Sequence, residues 1–217
     1  MKHVSILEAP VSRETWDGIQ KEVGRTSCAF DEYGEILLTW NRRVNLLSRD
    51  MTTTEFDLHI RHSLMIATCE AFQLADRFVD IGTGGGLPGI PLAMAYPDKQ
   101  FRLVDVVDKK CHVVRDIARS LHLRNVDVVC ADIRTLRLQA EEVILSKHAF
   151  KLKDVVRAFA PQPWRQALFL KGRDFIDELT DIQGSFQISY SDCAYLDADP
   201  FFTGKVLLDI RRTSTHI

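Results

Sequence analysis

A glycine-rich turn is the stretch of this sequence with the clearest capacity for chemistry. Residues 78–89 read F-V-D-I-G-T-G-G-G-L-P-G, a strand pattern that runs into a turn and then a helix. Gly82, Gly84 and Gly86 permit backbone conformations and a close approach that a side chain would block, and Pro88 suits the first turn of a helix. A turn of this kind at the carboxyl end of a strand predicts a site where a ligand contacts bare backbone.

Two classes of ligand compete for this turn. Gly84, Gly86 and Gly89 match G-x-G-x-x-G, the dinucleotide pattern, and Asp105 follows about where a ribose-binding acid is expected. Asp80, inside the preceding strand, completes D-x-G-x-G-x-G, which resembles motif I of the class I methyltransferases. A carboxylate there can balance the cationic amino acid end of S-adenosylmethionine, directly or through water, whereas it would repel a pyrophosphate. The sequence therefore favours a methyl donor over a nicotinamide cofactor.

The remaining donor contacts follow from the order of the strands. Asp105 ends the second strand of this region, where its carboxylate can accept hydrogen bonds from both ribose hydroxyls. Ala131 and Asp132 follow the third strand, where backbone and carboxylate can bond to the adenine edge. A helix cap or a surface ion pair for Asp105, and a helix cap for Asp132, are the competing interpretations.

Alternating strands and helices position these residues. From residue 77 onward the apolar runs RFVDIG, FRLVDVV, VDVVC, EEVILS and ALFLK alternate with helical periods, one of them over residues 109–121, which predicts a parallel sheet with crossover helices. Two more strands, near residues 186–190 and 205–210, are predicted to close the sheet as an antiparallel pair. The expected fold is α/β and Rossmann-like: a doubly wound, mostly parallel, seven-stranded sheet of the class I methyltransferase type with an antiparallel closing strand.

The first third of the chain has a different pattern. Phe30, Tyr33, Leu37 and Trp40 recur at spacings of three and four, which predicts one face of an amphipathic helix, and a second helical pattern covers residues 54–74. We therefore expect residues 1–75 to form an N-terminal helical extension and residues 76–217 to form the methyltransferase domain, in one compact unit.

Composition and charge restrict the class of protein. The chain has 217 residues, of which 46% are hydrophobic and 27% are charged, as in a soluble globular protein. The net charge of −2 hides an asymmetry: residues 147–173 contain seven cations and one anion, and residues 174–209 contain eight acids and one cation. This pattern predicts either a basic face for phosphates or separately solvated helix faces.

The cysteines and the start of the sequence indicate the compartment. The five cysteines include no CxxC pair, which argues against a disulfide framework or a zinc site, and Glu8 interrupts the start of the chain before a signal-peptide core could form. We expect a cytoplasmic protein, a monomer with reduced and mostly buried cysteines, that has neither a metal nor a membrane as partner.

Missing motifs restrict the kind of methyl transfer. The sequence after the fourth strand of this region is S-K-H-A-F, without the Asn/Asp-Pro-Pro-aromatic cluster that holds an exocyclic amine, and no cysteine follows a proline as in pyrimidine C5 methylation. A ring nitrogen with an exposed lone pair would need neither a base nor a covalent intermediate. Catalysis would then consist mostly of positioning and charge balance.

The sequence resembles the glucose-inhibited division protein B family from about residue 30 to residue 211. The pieces that carry the resemblance are Trp40-Asn41 with Asn45-Leu46-Leu47, His59-Ile60 with Ser63-Leu64, the run from Asp80 to Ala93, Asp105 with Lys109-Lys110, and Leu170-Lys171-Gly172 with Glu178. The resemblance implies a class I fold, S-adenosylmethionine as donor with S-adenosylhomocysteine as product, and guanine N7 of 16S rRNA or the small ribosomal subunit as target, in the decoding-region loop.

The resemblance also assigns candidate residues. The cofactor positions of the family fall on Gly82, Leu87, Ala131 and Asp132, and an arginine of the family is replaced by Lys147 or His148. Other departures are His62 in place of an aspartate, Leu87 where phenylalanine is common, Asp132 in place of glutamate, and Cys130 in place of arginine. Lys147, His148 and Lys171 are candidates for positioning the target, with Lys147 also a candidate cofactor contact. The RNA-binding candidates are Arg42, Arg43, Lys109, Lys110, Lys151, Lys153, Arg157 and Arg173.

Alternative interpretations remain open at this point. Trp40 is either a core residue or a stacking platform for a base, His59 either bonds internally or serves the site, and Asn41 and Asn45 either cap helices or contact substrate. At the level of function, the alternatives are a small-molecule methyltransferase, a donor-binding ribosome-assembly factor with weak or no catalysis, and a nicotinamide oxidoreductase.

Overall fold

Eight strands form one sheet in the computed structural model, which describes residues 3–25, 27–48, 50–139 and 141–213. Their order across the sheet is β1-β7-β8-β6-β5-β2-β3-β4, and β8 is antiparallel to both of its neighbours while all other pairs are parallel. The strands are β1 (His3–Glu8), β2 (Arg77–Ile81), β3 (Gln100–Asp105), β4 (Val126–Cys130), β5 (Val143–Lys147), β6 (Gln166–Gly172), β7 (Ser185–Asp192) and β8 (Lys205–Arg212).

The strand order reverses beside β2. The chain moves from β2 to β3 and β4 on one side, and from β5 to β6 on the other. In an open α/β sheet such a reversal leaves a crevice at the carboxyl ends of the strands, which is the usual place for a ligand.

Nine helices lie in the described part of the chain. They are α1 (Arg13–Arg25), α2 (Ser27–Asn41), α3 (Thr53–Leu64), α4 (Glu70–Leu74), α5 (Gly89–Ala95), α6 (Asp108–Ser120), α7 (Leu152–Phe159), α8 (Phe175–Glu178) and α9 (Cys193–Leu196). The helix α3 begins with a capping box, in which the Thr52 hydroxyl accepts from the Glu55 amide and the Glu55 carboxylate accepts from the Thr52 amide.

The helix predicted over residues 54–74 is interrupted. A 3₁₀ turn at Met65–Thr68 follows α3, and Cys69 is extended before α4 begins. The Thr68 hydroxyl donates to the Met65 carbonyl at 2.6 Å, a local bond that competes with continuation of the helix. Since this turn is buried, tertiary packing stabilises the break.

The sheet is covered on both faces. Alternate residues of β2 show this: Phe78 belongs to the cluster that includes the N-terminal helices, whereas Val79 and Ile81 belong to a second cluster with α7. A parallel strand buried on both sides is typical of doubly wound sheets. Asp80 has the same parity as Phe78, so its side chain points towards the N-terminal helices.

The predicted fold class is confirmed, with two corrections. The sheet has eight strands instead of seven, and the N-terminal stretch begins with a strand instead of a helix, because β1 pairs in parallel with β7 at the edge of the sheet. Ile6 and Leu7 of β1 are 45% and 59% exposed, so this strand has no alternation towards a core that the sequence could reveal. The division into residues 1–75 and 76–217 stays a prediction.

No helix in the described residues is long and apolar enough to cross a membrane. The same residues include no group of three or more His, Cys, Asp or Glu side chains arranged to hold a metal ion. The cysteines are free, with Cys69, Cys111 and Cys193 buried and Cys28 and Cys130 exposed.

Candidate functional site

The glycine-rich turn joins β2 to α5 and is tightly packed against neighbouring residues. The amides of Gly82 and Thr83 donate to the Val104 carbonyl at 2.8 and 3.0 Å, which fixes the turn to the end of β3. Gly82 has φ +70°, and a Cβ at this position would lie 2.4 Å from the Cβ of Ala149. Only glycine combines this backbone conformation with the available space.

Asp80 supports the turn from below. Its side chain is buried, and Oδ2 accepts hydrogen bonds from the Thr83 hydroxyl at 2.6 Å and from the Gly89 amide at 3.0 Å. Oδ1 has no hydrogen-bond partner among the described residues. Burial raises the pKa of the Asp80 carboxyl to about 7. Asp80 does not line the cleft itself. Its predicted interaction with the donor would therefore involve Oδ1, from beneath the turn.

The helix α2 holds the opposite side of the turn. Tyr33, fully buried, donates its hydroxyl proton to the Gly85 carbonyl at 2.9 Å. Asn41, the last residue of α2, accepts from the amides of Leu46 and Leu47 at 2.9 Å each and donates to the Ser48 carbonyl at 3.0 Å. Asn41 therefore folds the loop that follows α2, a structural role. The helical pattern marks Tyr33 only as an apolar residue and carries no signal for its hydroxyl.

A cleft of about 470 Å³ opens at the carboxyl ends of β2, β3, β4 and β5. Its wall combines the glycine-rich turn with polar strand ends and apolar residues. The lining residues are Leu46, Leu47, Gly82, Thr83, Gly84, Gly85, Leu87, Val104, Asp105, Val106, Val107, Lys110, Ala131, Asp132, Ile133, Lys147, Ala149 and Phe150. The motif that contains Leu46 and Leu47 was not assigned to the cleft from the sequence.

Two carboxylates on the cleft wall differ in their surroundings. Asp105 is buried, and its oxygens accept from the amides of Gly84 at 3.0 Å and Val107 at 2.9 Å. Asp132 is more exposed and forms an ion pair with Arg134 at 2.6 Å, whose hydrogen bonds lower the Asp132 pKa to about 2. No sequence pattern pointed to Arg134. The helix cap considered for Asp132 resembles the observed bond, in which Asp132 Oδ1 accepts from the Arg134 amide at the start of a turn.

Gly86 and Trp40 support the cleft without lining it. Gly86 lies within the turn with φ +101°, and an added Cβ would lie 2.5 Å from an Ile90 side-chain carbon. Trp40 packs against the hydrophobic core and meets His112 edge to face at 6.2 Å, which favours the interpretation as a core residue.

Lys147 ends β5 at the border of the cleft. Its ammonium group donates to Nδ1 of His59, on α3, at 2.7 Å. Burial, together with the charge of Lys205, lowers the pKa of Lys147 to about 7. Of the two residues that could replace the family's arginine, Lys147 is the one that lines the cleft, whereas His148 is exposed and has a φ of +55°.

Three histidines and two lysines meet beside this border. We call His59, His62, Lys147, His148 and Lys205 the histidine–lysine cluster. The rings of His62 and His148 lie 5.7 Å apart. Desolvation by the surrounding protein and the charges of the nearby lysines lower the pKa of His59 to about 3 and that of His148 to about 4, and they also lower the pKa of His62. The imidazoles are therefore neutral near pH 7.

Two predicted cationic contacts form ion pairs within the protein, Lys171 in a buried position and Arg173 at the surface. Lys171 is buried and donates to both carboxylate oxygens of Glu178, at 2.6 and 2.8 Å, and to the Phe150 carbonyl at 2.9 Å. All three ammonium protons are used, so Lys171 supports the fold and has none to offer a target. Arg173 pairs with Asp192. The two charge-segregated segments thus neutralise each other in part, because acids of residues 174–209 lie against cations of residues 147–173.

The other predicted RNA contacts lie at the surface or near the cleft. Arg42 and Arg43 are exposed in the loop after α2, and Lys109 is exposed on α6 while the neighbouring Lys110 lines the cleft. Around α7, Lys151 and Arg157 are exposed and Lys153 is half-buried. No finding tests their contact with RNA, which stays a prediction.

Comparison with known proteins gives one consistent result. The sequence model of the GidB family, described as rRNA small subunit methyltransferase G, matches residues 27–196. Ribosomal RNA small subunit methyltransferase G of Chlorobium luteolum is 32% identical over 184 residues, which are 81% of this chain and 77% of that protein. The protein of the same name from Christiangramia forsetii is 33% identical over 186 residues, 82% of this chain and 87% of that protein.

Solved structures agree on the fold. A mutant of MtNAS in complex with S-adenosylmethionine superposes with a TM-score of 0.56 at 15% identity, covering 90% of this chain and 76% of that one. The [4+2]-cyclase SpnF superposes with a TM-score of 0.54 at 14% identity, covering 70% of this chain and 80% of that one.

Proposed function

This chain belongs to the GidB family, rRNA small subunit methyltransferase G, and from that premise we propose that it transfers a methyl group from S-adenosylmethionine to guanine N7 in 16S rRNA. The observation that carries the proposal is the cleft at the strand reversal, where a glycine-rich turn and two strand-end carboxylates meet. The reaction class is that of the family.

The residues of the cleft fit this donor. The unpartnered Oδ1 of Asp80 belongs to a buried carboxyl group, and a cationic ligand above the turn would stabilise its charged form. Gly84, which lines the cleft with φ +59°, has only two backbone oxygens, at 4.0 Å, near the position of an added Cβ, so a ligand can approach its backbone. Asp105 would hold the ribose hydroxyls. Ala131 and Asp132 would contact the adenine, and for this Asp132 would either divide its carboxylate between the adenine and Arg134 or break its ion pair with Arg134. The bound donor supplies an electrophilic methyl group on a sulfonium centre.

The chain itself supplies position and charge balance. Guanine N7 has an exposed lone pair, so no side chain has to remove a proton before methyl transfer. Positive charge moves from the donor to the base during the reaction, and the carboxylates of Asp80 and Asp105 lie on the donor side of the cleft. Lys147, at the border, is placed to hold an anionic or carbonyl group of the substrate. Holding both reactants in line is the main contribution to the rate.

A ribosomal substrate also implies partners and a compartment. The substrate would be 16S rRNA or the small ribosomal subunit, in the cytoplasm, contacted by the exposed cations near the cleft, with the enzyme acting as a monomer. Membership of the family supports RNA as the substrate. The exposure of Arg42, Arg43, Lys109 and Lys151 supports these cations as its contact surface. Affinity for RNA should then fall steeply with salt.

The decisive experiment measures methyl transfer. Purified protein is incubated with labelled S-adenosylmethionine and either unmethylated 16S rRNA or small subunits that lack the modification. The labelled nucleoside is then identified by mass spectrometry, and we expect 7-methylguanosine. Donor binding without transfer to either substrate would contradict the enzymatic function and favour a role in ribosome assembly. Methylation at another atom would contradict the assigned target.

A further inference from the structure

We propose that the histidine–lysine cluster binds a phosphodiester group of the RNA, one that flanks the target guanosine. The inference rests on the proposed function, because it names how the same site holds its substrate. The cluster lies next to the donor cleft and shares Lys147 with it.

Three separate elements build the cluster. His59 and His62 lie one turn apart on α3, Lys147 and His148 lie at the end of β5, and Lys205 opens β8. Phe201, in the 3₁₀ turn before β8, links them: its ring meets that of His59 at 5.0 Å, and the Lys205 ammonium lies 3.8 Å from its centre. Lys205 also donates to the Phe201 carbonyl. The five groups are therefore held in place by contacts across the fold.

The lysines of the cluster lack an anionic partner among the described residues. In that part of the chain, no carboxylate forms an ion pair with Lys147 or Lys205. The acids that act on members of the cluster are Glu55 on His59, Asp80 on Lys147 and Asp174 on His148. Glu55 is engaged in the capping box of α3 and Asp80 under the glycine-rich turn, and none of the three forms an ion pair with a lysine of the cluster. Two ammonium groups that repel each other in a partly buried place are stabilised by a bound oxyanion.

A buried imidazole provides a second, independent observation. His62 is fully buried, and neither ring nitrogen has a hydrogen-bond partner among the described residues. Leaving such a buried polar group unpaired is unfavourable. Its ring adjoins that of His148, which is exposed. A ligand bound at His148 therefore lies beside the His62 ring, whose nitrogens lack a hydrogen-bond partner.

Position favours an RNA phosphate over the carboxylate of the donor. Lys147 is the one member of the cluster that lines the cleft, whereas His59, His62, His148 and Lys205 lie outside it. An anion that contacts Lys205 and His148 as well as Lys147 is therefore beyond the space of the donor. A nucleotide placed for methylation carries its phosphates into that position, at the outer side of the cleft.

The test uses Lys205→Gln with Lys99→Gln as a matched control. Lys99 resembles Lys205 locally, because it donates to main-chain carbonyls and lies over a phenylalanine ring, Phe72, at 5.4 Å. It differs in lying just before β3, at the amino ends of the strands. The affinity of each variant is measured for an unmethylated 16S rRNA fragment that contains the decoding-region loop, across a range of salt, and for S-adenosylhomocysteine by calorimetry.

We expect Lys205→Gln to weaken RNA binding roughly fivefold and to reduce the slope of log affinity against log salt by about 0.7, the value of one phosphate contact on single-stranded RNA. Its affinity for S-adenosylhomocysteine should equal that of the wild type. Lys99→Gln should change neither, and Lys205→Arg should restore most of the RNA affinity. Unfolding by urea for each variant shows that the comparison concerns folded protein.

The contrary outcomes are distinct. Weaker binding of S-adenosylhomocysteine with unchanged RNA binding would assign the cluster to the donor carboxylate and overturn the proposal. Unchanged RNA affinity in an enzyme that still methylates rRNA would overturn the phosphate site alone. A wild-type protein that transfers no methyl group, but whose RNA affinity falls with Lys205→Gln, would contradict the proposed function and support the phosphate site.

Discussion

The donor cleft and the histidine–lysine cluster lie side by side and are opposite in construction. The cleft is formed by a continuous turn, supported from beneath by Asp80, and by strand ends that carry the acids Asp105 and Asp132. The cluster collects imidazoles and ammonium groups from three elements, with no carboxylate paired to its lysines among the described residues. One region suits a cation and the other suits an anion.

The contrast shows how one edge of a sheet can hold two reactants of opposite charge. The donor is a sulfonium cation, and an RNA substrate is a polyanion. Lys147 lies at the boundary, where it lines the cleft and bonds to His59. The side of the methyl donor is rigid because backbone amides fix it, whereas the substrate side depends on side chains that are partly exposed.

Gly82→Ala should have the largest effect of these variants. It changes the cleft and not the histidine–lysine cluster. The new Cβ would lie 2.4 Å from Ala149 Cβ at a φ of +70°, so we expect unfolding by urea to show a loss of about 2–4 kcal/mol. Donor affinity should become undetectable by calorimetry. Gly18→Ala is the control, because Gly18 lies in α1 with no atom near its added Cβ, and it should leave donor affinity intact. A Gly82→Ala protein with normal stability would refute the tight fit of the turn.

Asp105→Asn and Asp132→Asn compare two acids of the same cleft. The amide nitrogen that Asp105→Asn introduces cannot accept from a backbone amide, so this variant loses a bond to Gly84 or Val107, and donor affinity should fall roughly ten- to hundredfold. Asp132 is more exposed and already paired with Arg134, so Asp132→Asn should weaken the donor only about threefold. Equal effects from the two variants, measured by calorimetry, would contradict this ranking.

RNA affinity should depend on pH through Lys147. With a pKa of about 7, Lys147 loses its charge as the pH rises from 6 to 8, so affinity should fall by roughly fivefold over that range. The groups facing Lys147 are His59, His62, His148, Lys205 and Asp80. His59 and His148 stay neutral throughout, since their pKa values of about 3 and 4 lie below this pH range. Lys147→Arg, always charged, should flatten the profile in a filter-binding assay, and a profile that keeps its slope would argue against Lys147 as the origin.

Donor binding should release a fraction of a proton from Asp80. Its pKa of about 7 leaves the carboxyl about half protonated at pH 7, and a cationic ligand above the turn favours the charged form. Calorimetry in buffers of different ionisation enthalpy should therefore report release of up to about half a proton per donor bound at pH 7. Asp80→Asn should abolish the release. A binding enthalpy that is the same in every buffer for the wild type would show that the donor does not act on this carboxyl.

Stability should decrease with acid because of the neutral histidines. His59, His62 and His148 have lowered pKa values in the folded state, so the unfolded chain binds more protons as the pH falls below about 6.5. Asp80, Asp57 and Asp209 act in the opposite direction, because a raised pKa favours the folded state as the pH falls. The unfolded-state pKa of a histidine lies within the range from pH 5 to 7 and that of an aspartate lies below it, so the three histidines predict a lower midpoint of urea unfolding at pH 5 than at pH 7, and His62→Phe should reduce that difference.

Much of the cleft could be predicted from the sequence because it is local. The glycine turn, Asp105 and Asp132 are each specified by a short run at a strand end, and parallel strands bring such ends to the same edge of the sheet. The arrangement of β2 to β6 and the closing β8 followed from apolar runs of the same kind. The strand β1 could not be predicted, since an exposed edge strand is held by backbone pairing and has no core-facing pattern.

The sequence by itself determined the α/β class, the glycine turn and its acids, because these depend on neighbours within a few residues. Only the tertiary structure decided that Lys171 is buried in an ion pair with Glu178, that Asp80 lies beneath the turn, and that His59 contacts Lys147, 88 residues away. These outcomes depend on which distant side chains arrive at the same place. The free energy of a charge is set by that encounter, through burial and partners, and no local pattern encodes it.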